Sequence, residues 1–369
     1  MSILGTRVIR TEDPRLLTAG GVYVDDLRTP ELDGAARLTF VRSPVAHARI
    51  TGIDTSAAVS EPGVVAVLTV QDMTDLAPPP PDDGSGGGGG EAPMPLGGPW
   101  AEPLLAVDTV RFVGEPVAVV ITDGRYQGED AADLVTVDYD PLPAVIGPEA
   151  ALTSESLLFP AAGSNVPVTK EAPADDAPFD GCEVVIEQDI VNQRLACMPM
   201  EGRATAATFE NGKLTVWHSS QNAQLCRLIL CMALGMAPEQ IRVVVPDVGG
   251  GFGAKVGIDR DAIIVAWAAR KTGRALRWAE TRSENLVGMT QGRAQLHHIK
   301  IGGNRDGKIL AYRIGVIQDS GAYSRMGGFL PMLTCLMSPG VYAALFLPPF
   351  CNRCARRTSR PPLSLGPSP

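Results

Sequence analysis

Unbroken apolar runs alternate along this chain with apolar residues at helical spacing. VVAVLTV (64–70) and PVAVVIT (116–122) are short, β-branched and continuous, which suits strands buried on both faces. RYQGEDAADLV (125–135) reads as a short helix, and TVDYDPLP closes that unit with a proline turn. EVVIEQDIVNQRLACMPMEGRATAATFENGKLTVWHSS reads as a meander of strands, with ENG at 210–212 turning TAATF into KLTVW. NAQLCRLILCMALG then sets Leu225, Leu228, Ile229 and Met232 along one side of a helix over 221–235. Ser219 or Ser220 suits its N-cap. AQLHHIKIGGNRDGKILAYRIGVIQD predicts a long strand pair turned at NRDGK.

The segment IRVVVPDVGGGFGAKVG, Ile241 to Gly257, changes character within a few residues. Val243, Val244 and Val245 form a strand run. Gly249, Gly250, Gly251 and Gly253 follow, with only Phe252 inside the cluster. Glycine tolerates positive φ and lets another group approach the backbone closely. DRDAIIVAWAARKTG reads as the next helix: Asp259 and Asp261 suit its first turn, Lys271 its last, and Gly273 its C′ position. A strand, a glycine turn and a helix in series aim N–H groups at an anion.

Three readings compete for this turn. Gly249, Gly251 and Ala254 fit the glycine slots of a dinucleotide fingerprint, but the acidic residue at the end of ALRWAE, Glu280, lies 31 positions on rather than about 20. Lys255 suits a P-loop, but Ala254 replaces the last glycine and Val256 replaces the magnesium-binding hydroxyl. A tight turn with no further role is the third, so the motif needs company.

WHSSQ, Trp217 to Gln221, supplies it. Gln221 sits at another helix start, 31 positions before Phe252; alone it reads as a solvated first-turn residue. Taken together, SSQN at 219–222 and GGGFGAK at 249–255 resemble the molybdenum-binding large subunit of the xanthine dehydrogenase, aldehyde oxidase and aerobic carbon monoxide dehydrogenase family. RFVGEPVAVVITDGRYQGEDAADLVTVDYDPLPAV (111–145) resembles its α/β hammerhead domain, and CMPMEGRATA (197–206) the opening of its first molybdopterin-binding domain. The implied fold is α+β. It has a leader at 1–20, the hammerhead domain at 21–145, a linker at 146–180 and an incomplete first molybdopterin-binding domain at 181–342.

Two stretches depart from that frame. APPPPDDGSGGGGGEAPMPLGGP (77–99) has too little apolar surface to order itself and is expected to be a flexible surface loop. Residues 343–369 leave the family pattern and are expected to be a non-native, disordered tail. Cys351 and Cys354 form a C-x-x-C there, with no second half of a zinc site.

The resemblance implies oxidative hydroxylation of an aldehyde, an aromatic heterocycle or carbon monoxide, with water as the oxygen source. The implied cofactor is molybdenum–molybdopterin, with or without a nucleotide extension. The implied partners are an iron–sulfur small subunit and an FAD-binding medium subunit, in a homodimer of heterotrimers. Gln221 would stand beside the metal through its side-chain amide, and Phe252 through its backbone N–H, made accessible by Gly251 and Gly253, with Gly250 in the same cofactor-binding turn. The Phe252 ring can at the same time serve as a core aromatic. Val256 would face substrate. Purine-hydroxylating relatives carry a glutamate there, and a valine cannot hydrogen-bond, which argues against a purine. The family's general base is a glutamate in a segment beyond residue 369. Neither Glu201 nor Glu280 matches its motif, so no catalytic residue is assigned. A catalytically inactive remnant that binds partner subunits is the competing expectation, and an NAD-binding dehydrogenase the third.

Composition narrows the field further. A chain of 369 residues holds two or three domains. Net charge −9 with no basic stripe argues against nucleic acid. No apolar run reaches the roughly 18 residues of a membrane span. The start, MSILGTRVIRTEDPR, has no apolar signal core, so a cytoplasmic protein is expected. Seven cysteines without small-scaffold spacing suit reduced thiols. His297 and His298 are adjacent and must face opposite sides of a strand. Both, with His47, Cys226 and Cys231, are expected to be structural.

Overall fold

A computed structural model describes residues 4–5, 7–76, 100–170, 175–323, 325–342 and 351–355. The loop expected at 77–99 lies outside them. The strands are β1 (Ala36–Arg42), β2 (Ala48–Asp54), β3 (Val64–Leu68), β4 (Thr109–Val110), β5 (Pro116–Thr122), β6 (Thr136–Pro141), β7 (Val168–Lys170), β8 (Val184–Leu195), β9 (Ala204–Glu210), β10 (Lys213–His218), β11 (Ile241–Val244), β12 (Leu276–Ala279), β13 (Gly292–Gly303), β14 (Ile309–Asp319) and β15 (Cys351–Ala355). The α-helices are α1 (Asp13–Thr18), α2 (Ser56–Val59), α3 (Arg125–Asp133), α4 (Pro148–Thr153), α5 (Ala223–Leu234), α6 (Arg260–Thr272), α7 (Arg282–Gly288) and α8 (Leu330–Met337). The mixture of helix and sheet is the expected α+β class.

The chain folds as two compact units, each made of separated segments. One comprises Met1–Leu38 with Met198–Arg282, the other Thr39–Cys197 with Ser283–Pro369.

In the first unit the strand order is β11–β10–β9–β12, and Ala36 and Arg37 of β1 pair in parallel with Leu276 and Arg277 of β12. β9 and β10 form the expected hairpin. Asn211 and Gly212 both take positive φ, 51° and 76°, the backbone that a two-residue hairpin turn demands. β10 and β11 are parallel, and α5 provides the crossover. Val24, Leu27 and Leu32 from the amino-terminal segment bury themselves against Ala206 and Trp217. Arg15 on α1 reaches the Asp247 carboxylate at 2.8 and 2.6 Å, and the Val22 N–H donates to the same group.

α6 begins and ends where its sequence says. The Asp259 carboxylate accepts the Ala262 N–H, and Gly273 stops the helix at φ 66°. α5 corrects two expectations. Its N-cap is Asn222, whose side-chain oxygen accepts the Leu225 N–H, because Ser219 and Ser220 are buried and bonded elsewhere. Its inner face is Cys226, Leu230 and Leu234, while Leu228 and Met232 stand 57% and 59% exposed. AQLCRLILCMAL is apolar nearly all round, so spacing alone does not select a face. Cys226 is buried as expected, and Cys231 is half-buried.

In the second unit, β5 pairs antiparallel with β3 and is buried at every position, which is why it lacks alternation. β4–β2–β6 form an antiparallel sheet. A five-stranded sheet runs β7–β15–β14–β13–β8, and β13 with β14 is the long expected hairpin. His297 and His298 face opposite sides: one meets the Gln295 side-chain oxygen, the other Asp189 and Glu187. His47 is tied to the Pro143 carbonyl, and burial pushes its pKa down.

Two stretches of this unit hold more structure than their sequence suggests. The stretch 146–180 is no bare linker: it carries α4 and β7 and buries Leu158, Phe159 and Phe179. Those few large apolar residues were masked by the Ser, Pro and Ala around them. The tail is not wholly disordered either, because Cys351–Ala355 forms β15 between β14 and β7. An extended backbone satisfies a neighbour's N–H and C=O groups whatever side chains it carries. Residues 343–350 and 356–369 lie outside the described residues. Among the described residues no helix is long and apolar enough to cross a membrane.

Candidate functional site

After β11 the first unit's chain makes a turn with three left-handed residues. Gly250, Phe252 and Gly253 have φ of 98°, 52° and 87°. Phe252 is the costly one, since a Cβ crowds the carbonyl in that region. The Ala254 N–H closes the turn onto the Gly251 carbonyl at 2.9 Å. Gly251 lies against Gln221: a Cβ there would sit 2.4 Å from its side-chain oxygen. At Gly249 it would sit 2.5 Å from the Cβ of Glu201.

Gln221 therefore lies on the turn. Its side-chain oxygen accepts the Gly253 N–H at 3.0 Å and the Lys255 N–H at 3.2 Å. Its own backbone N–H donates to the Lys255 carbonyl at 2.7 Å. Backbone N–H groups can only donate, so they orient the amide: oxygen onto the turn, nitrogen away from it. Among the described residues that nitrogen donates to nothing. The Phe252 ring is 73% exposed and lies over Gly250, beside Pro199, so it is not the core aromatic that one reading allowed. Val256, one residue past the turn, is half-buried.

Beneath the turn is a set of groups whose connection the sequence did not reveal. The Lys255 ammonium, with its side chain 1% exposed, donates to the Glu201 carboxylate at 3.0 Å, to the Glu201 carbonyl at 2.9 Å and to the Ser219 hydroxyl at 2.7 Å. Burial pushes its pKa down, against the pull of Glu201. The same Glu201 oxygen accepts the Ser219 hydroxyl at 2.6 Å and the Gly249 N–H at 2.8 Å. The sequence offers Lys255 only as a P-loop phosphate ligand and Glu201 only as a base that fails to match its motif. Their pairing across 54 positions leaves no local signal.

This geometry disposes of two readings of the turn. A P-loop needs its lysine directed at phosphate, and Lys255 is turned inward with all three donors used. A dinucleotide fold needs an acidic residue at the end of the neighbouring strand. β11 has β10 as its neighbour, whereas β12, which precedes Glu280, lies beyond β9 and antiparallel to it. The Glu280 carboxylate is bound to the Arg203 guanidinium at 2.7 Å. Arg203 is buried, which works against its charge, but Asp259, Asp261 and Glu280 outweigh that and raise its pKa.

Comparison with known proteins gives the family. The molybdopterin cofactor-binding domain family matches residues 159–345, half of the chain. This chain belongs to that family. The aldehyde oxidase and xanthine dehydrogenase a/b hammerhead domain matches residues 18–143. The large subunit of nicotine 6-hydroxylase from Paenarthrobacter nicotinovorans is 35% identical over 326 residues, 87% of this chain and 39% of that protein. The carbon monoxide dehydrogenase large chain of Hydrogenophaga pseudoflava is 33% identical over 86% of this chain and 40% of its own. The structure of quinoline 2-oxidoreductase from Pseudomonas putida 86 superposes with a TM-score of 0.83 at 32% identity, over 97% of this chain and 45% of that one. The chain thus spans about two fifths of the length of these relatives.

The residues present fit a molybdopterin group. The turn has no Cβ at Gly250, Gly251 or Gly253, and beside Gly253 there is open space for close approach to the backbone. Gln221 adds a side-chain donor at the same place.

Proposed function

We propose that this chain is the cofactor-gripping part of a molybdenum hydroxylase large subunit, hydroxylating an aldehyde or an aromatic heterocycle. The observation that carries the reading is the meeting of Gln221 with the turn at 251–255, in a chain whose relatives include nicotine 6-hydroxylase. When bound, the molybdenum–molybdopterin group supplies the redox chemistry, with water as the source of oxygen. The protein's share is orientation: Gln221 through its amide nitrogen and the Gly250–Gly253 backbone through its closeness. Val256 presents an apolar surface, which suits the edge of an aldehyde or heterocycle and offers a purine no hydrogen bond. Electrons would leave through an iron–sulfur subunit and an FAD-binding subunit.

A second reading, a chain that holds cofactor without turnover, is favoured by one observation. The two carboxylates weighed as a base, Glu201 and Glu280, are already engaged by cations. One experiment separates them: oxidation of aldehyde, quinoline-type heterocycle, carbon monoxide and purine in oxygen-18 water by the enzyme assembled with its partner subunits. Label in the aldehyde or heterocycle product is expected, with purine untouched. Bound molybdenum without turnover of any of the four would decide for the second reading.

A further inference from the structure

We propose that Glu201 and Lys255 are positioning residues, a buried carboxylate–ammonium clamp that sets where the glycine turn and Gln221 meet. The inference rests on the cofactor reading above for its purpose, but not for its geometry. Three separate pieces of backbone converge on the pair. The Gly249 N–H at the turn's start and the Ser219 hydroxyl at the exit of β10 both donate to one Glu201 oxygen. Lys255, at the turn's end, donates to that oxygen, to the Glu201 carbonyl and to Ser219. The Glu201 N–H returns a bond to the Gly249 carbonyl at 3.1 Å. Both ends of the turn and the strand leading to Gln221 are therefore held by one charged pair.

The consequence for Gln221 is direct. Its three bonds to the turn go to the Gly253 N–H, the Lys255 N–H and the Lys255 carbonyl. Any movement of the Lys255 backbone shifts two of the three. A buried ion pair is a poor way to gain stability, since desolvation offsets most of the attraction. This pair is not optimised for it: the second Glu201 oxygen is buried and accepts no hydrogen bond among the described residues. What such a pair does supply is fixed geometry, because a saturated ammonium tolerates few alternative arrangements.

The test uses the double variant Glu201→Gln/Lys255→Met, which removes both charges while keeping shape. Ser219→Ala serves as a milder probe if the double variant does not fold. Amide exchange at Gly253 and Lys255, the unfolding midpoint and retained pterin are measured on the full chain. The midpoint should move by only a few degrees. Exchange at those two amides should rise at least about tenfold in the double variant, and by a smaller factor in Ser219→Ala, while the β9–β10 ladder is unchanged. Retained pterin should fall at least about tenfold. Unchanged exchange at both amides, or faster exchange with pterin retained as in the parent, overturns the clamp. Faster exchange in a chain whose parent binds no pterin supports the clamp and sinks the cofactor reading instead.

Discussion

A methyl group at position 251 would stand 2.4 Å from the Gln221 oxygen, yet that oxygen belongs to the end of a flexible side chain. Gly251→Ala should therefore leave the turn's backbone in place and swing Gln221 away. The loss is two hydrogen bonds from the Gly253 and Lys255 amides, of order 1–3 kcal/mol in all, since each nets about 0.5–1.5. A modestly lowered unfolding midpoint, with faster exchange at those two amides alone, is the expected outcome. A collapse of the whole unit would mean that the turn itself cannot take the substitution. At this scale the site was half legible. The glycines announce themselves, because positive φ and close contact demand that residue type, whereas Gln221 stands out only through the resemblance of SSQN and GGGFGAK to the family. Glu201 and Ser219 do not, because a carboxylate or a hydroxyl is ordinary anywhere until its partner is known.

Elements were legible where one signal had no rival. α6 has a single capping aspartate and a single stopping glycine, and it folds between them. α5 offers Ser219, Ser220 and Asn222 in succession, and the choice went to the residue whose side chain was not already bonded in the interior. The β8–β13 pair shows what alternation does to two adjacent histidines. On its outer face His298 bridges Asp189 at 2.7 Å and Glu187 at 2.8 Å, near Lys300, which also approaches Glu187. Asp189 foremost, and Glu187 with it, raise the His298 pKa above 6.5. A raised folded value means that the charged bridge contributes fully below the unfolded pKa and is lost as pH rises through the folded one. His298→Gln should lower the unfolding midpoint at about pH 5.5 and leave it unaltered at about pH 9. An equal deficit at both would show that the ring acts through packing rather than charge.

At the scale of the molecule, the sequence divides in order, whereas the structure interleaves. Residues 1–38 complete the unit that carries the glycine turn, through Val24, Leu27 and Leu32 and the tie of Arg15 to Asp247. Local pattern could not show this, because Ala36 finds its strand partner at Leu276, 240 positions away. The chain belongs to the molybdopterin cofactor-binding family and spans about two fifths of the relatives it matches; on the reading proposed above, the turn is the part that would hold the cofactor. That claim is tested most directly by molybdenum and pterin content, measured on the full chain from a host that makes the cofactor, beside Gly251→Ala. The account predicts about one molybdenum and one pterin per native chain, and less than about a tenth of that in the variant with its fold intact. Equal content in the two chains, or none in either, would contradict it.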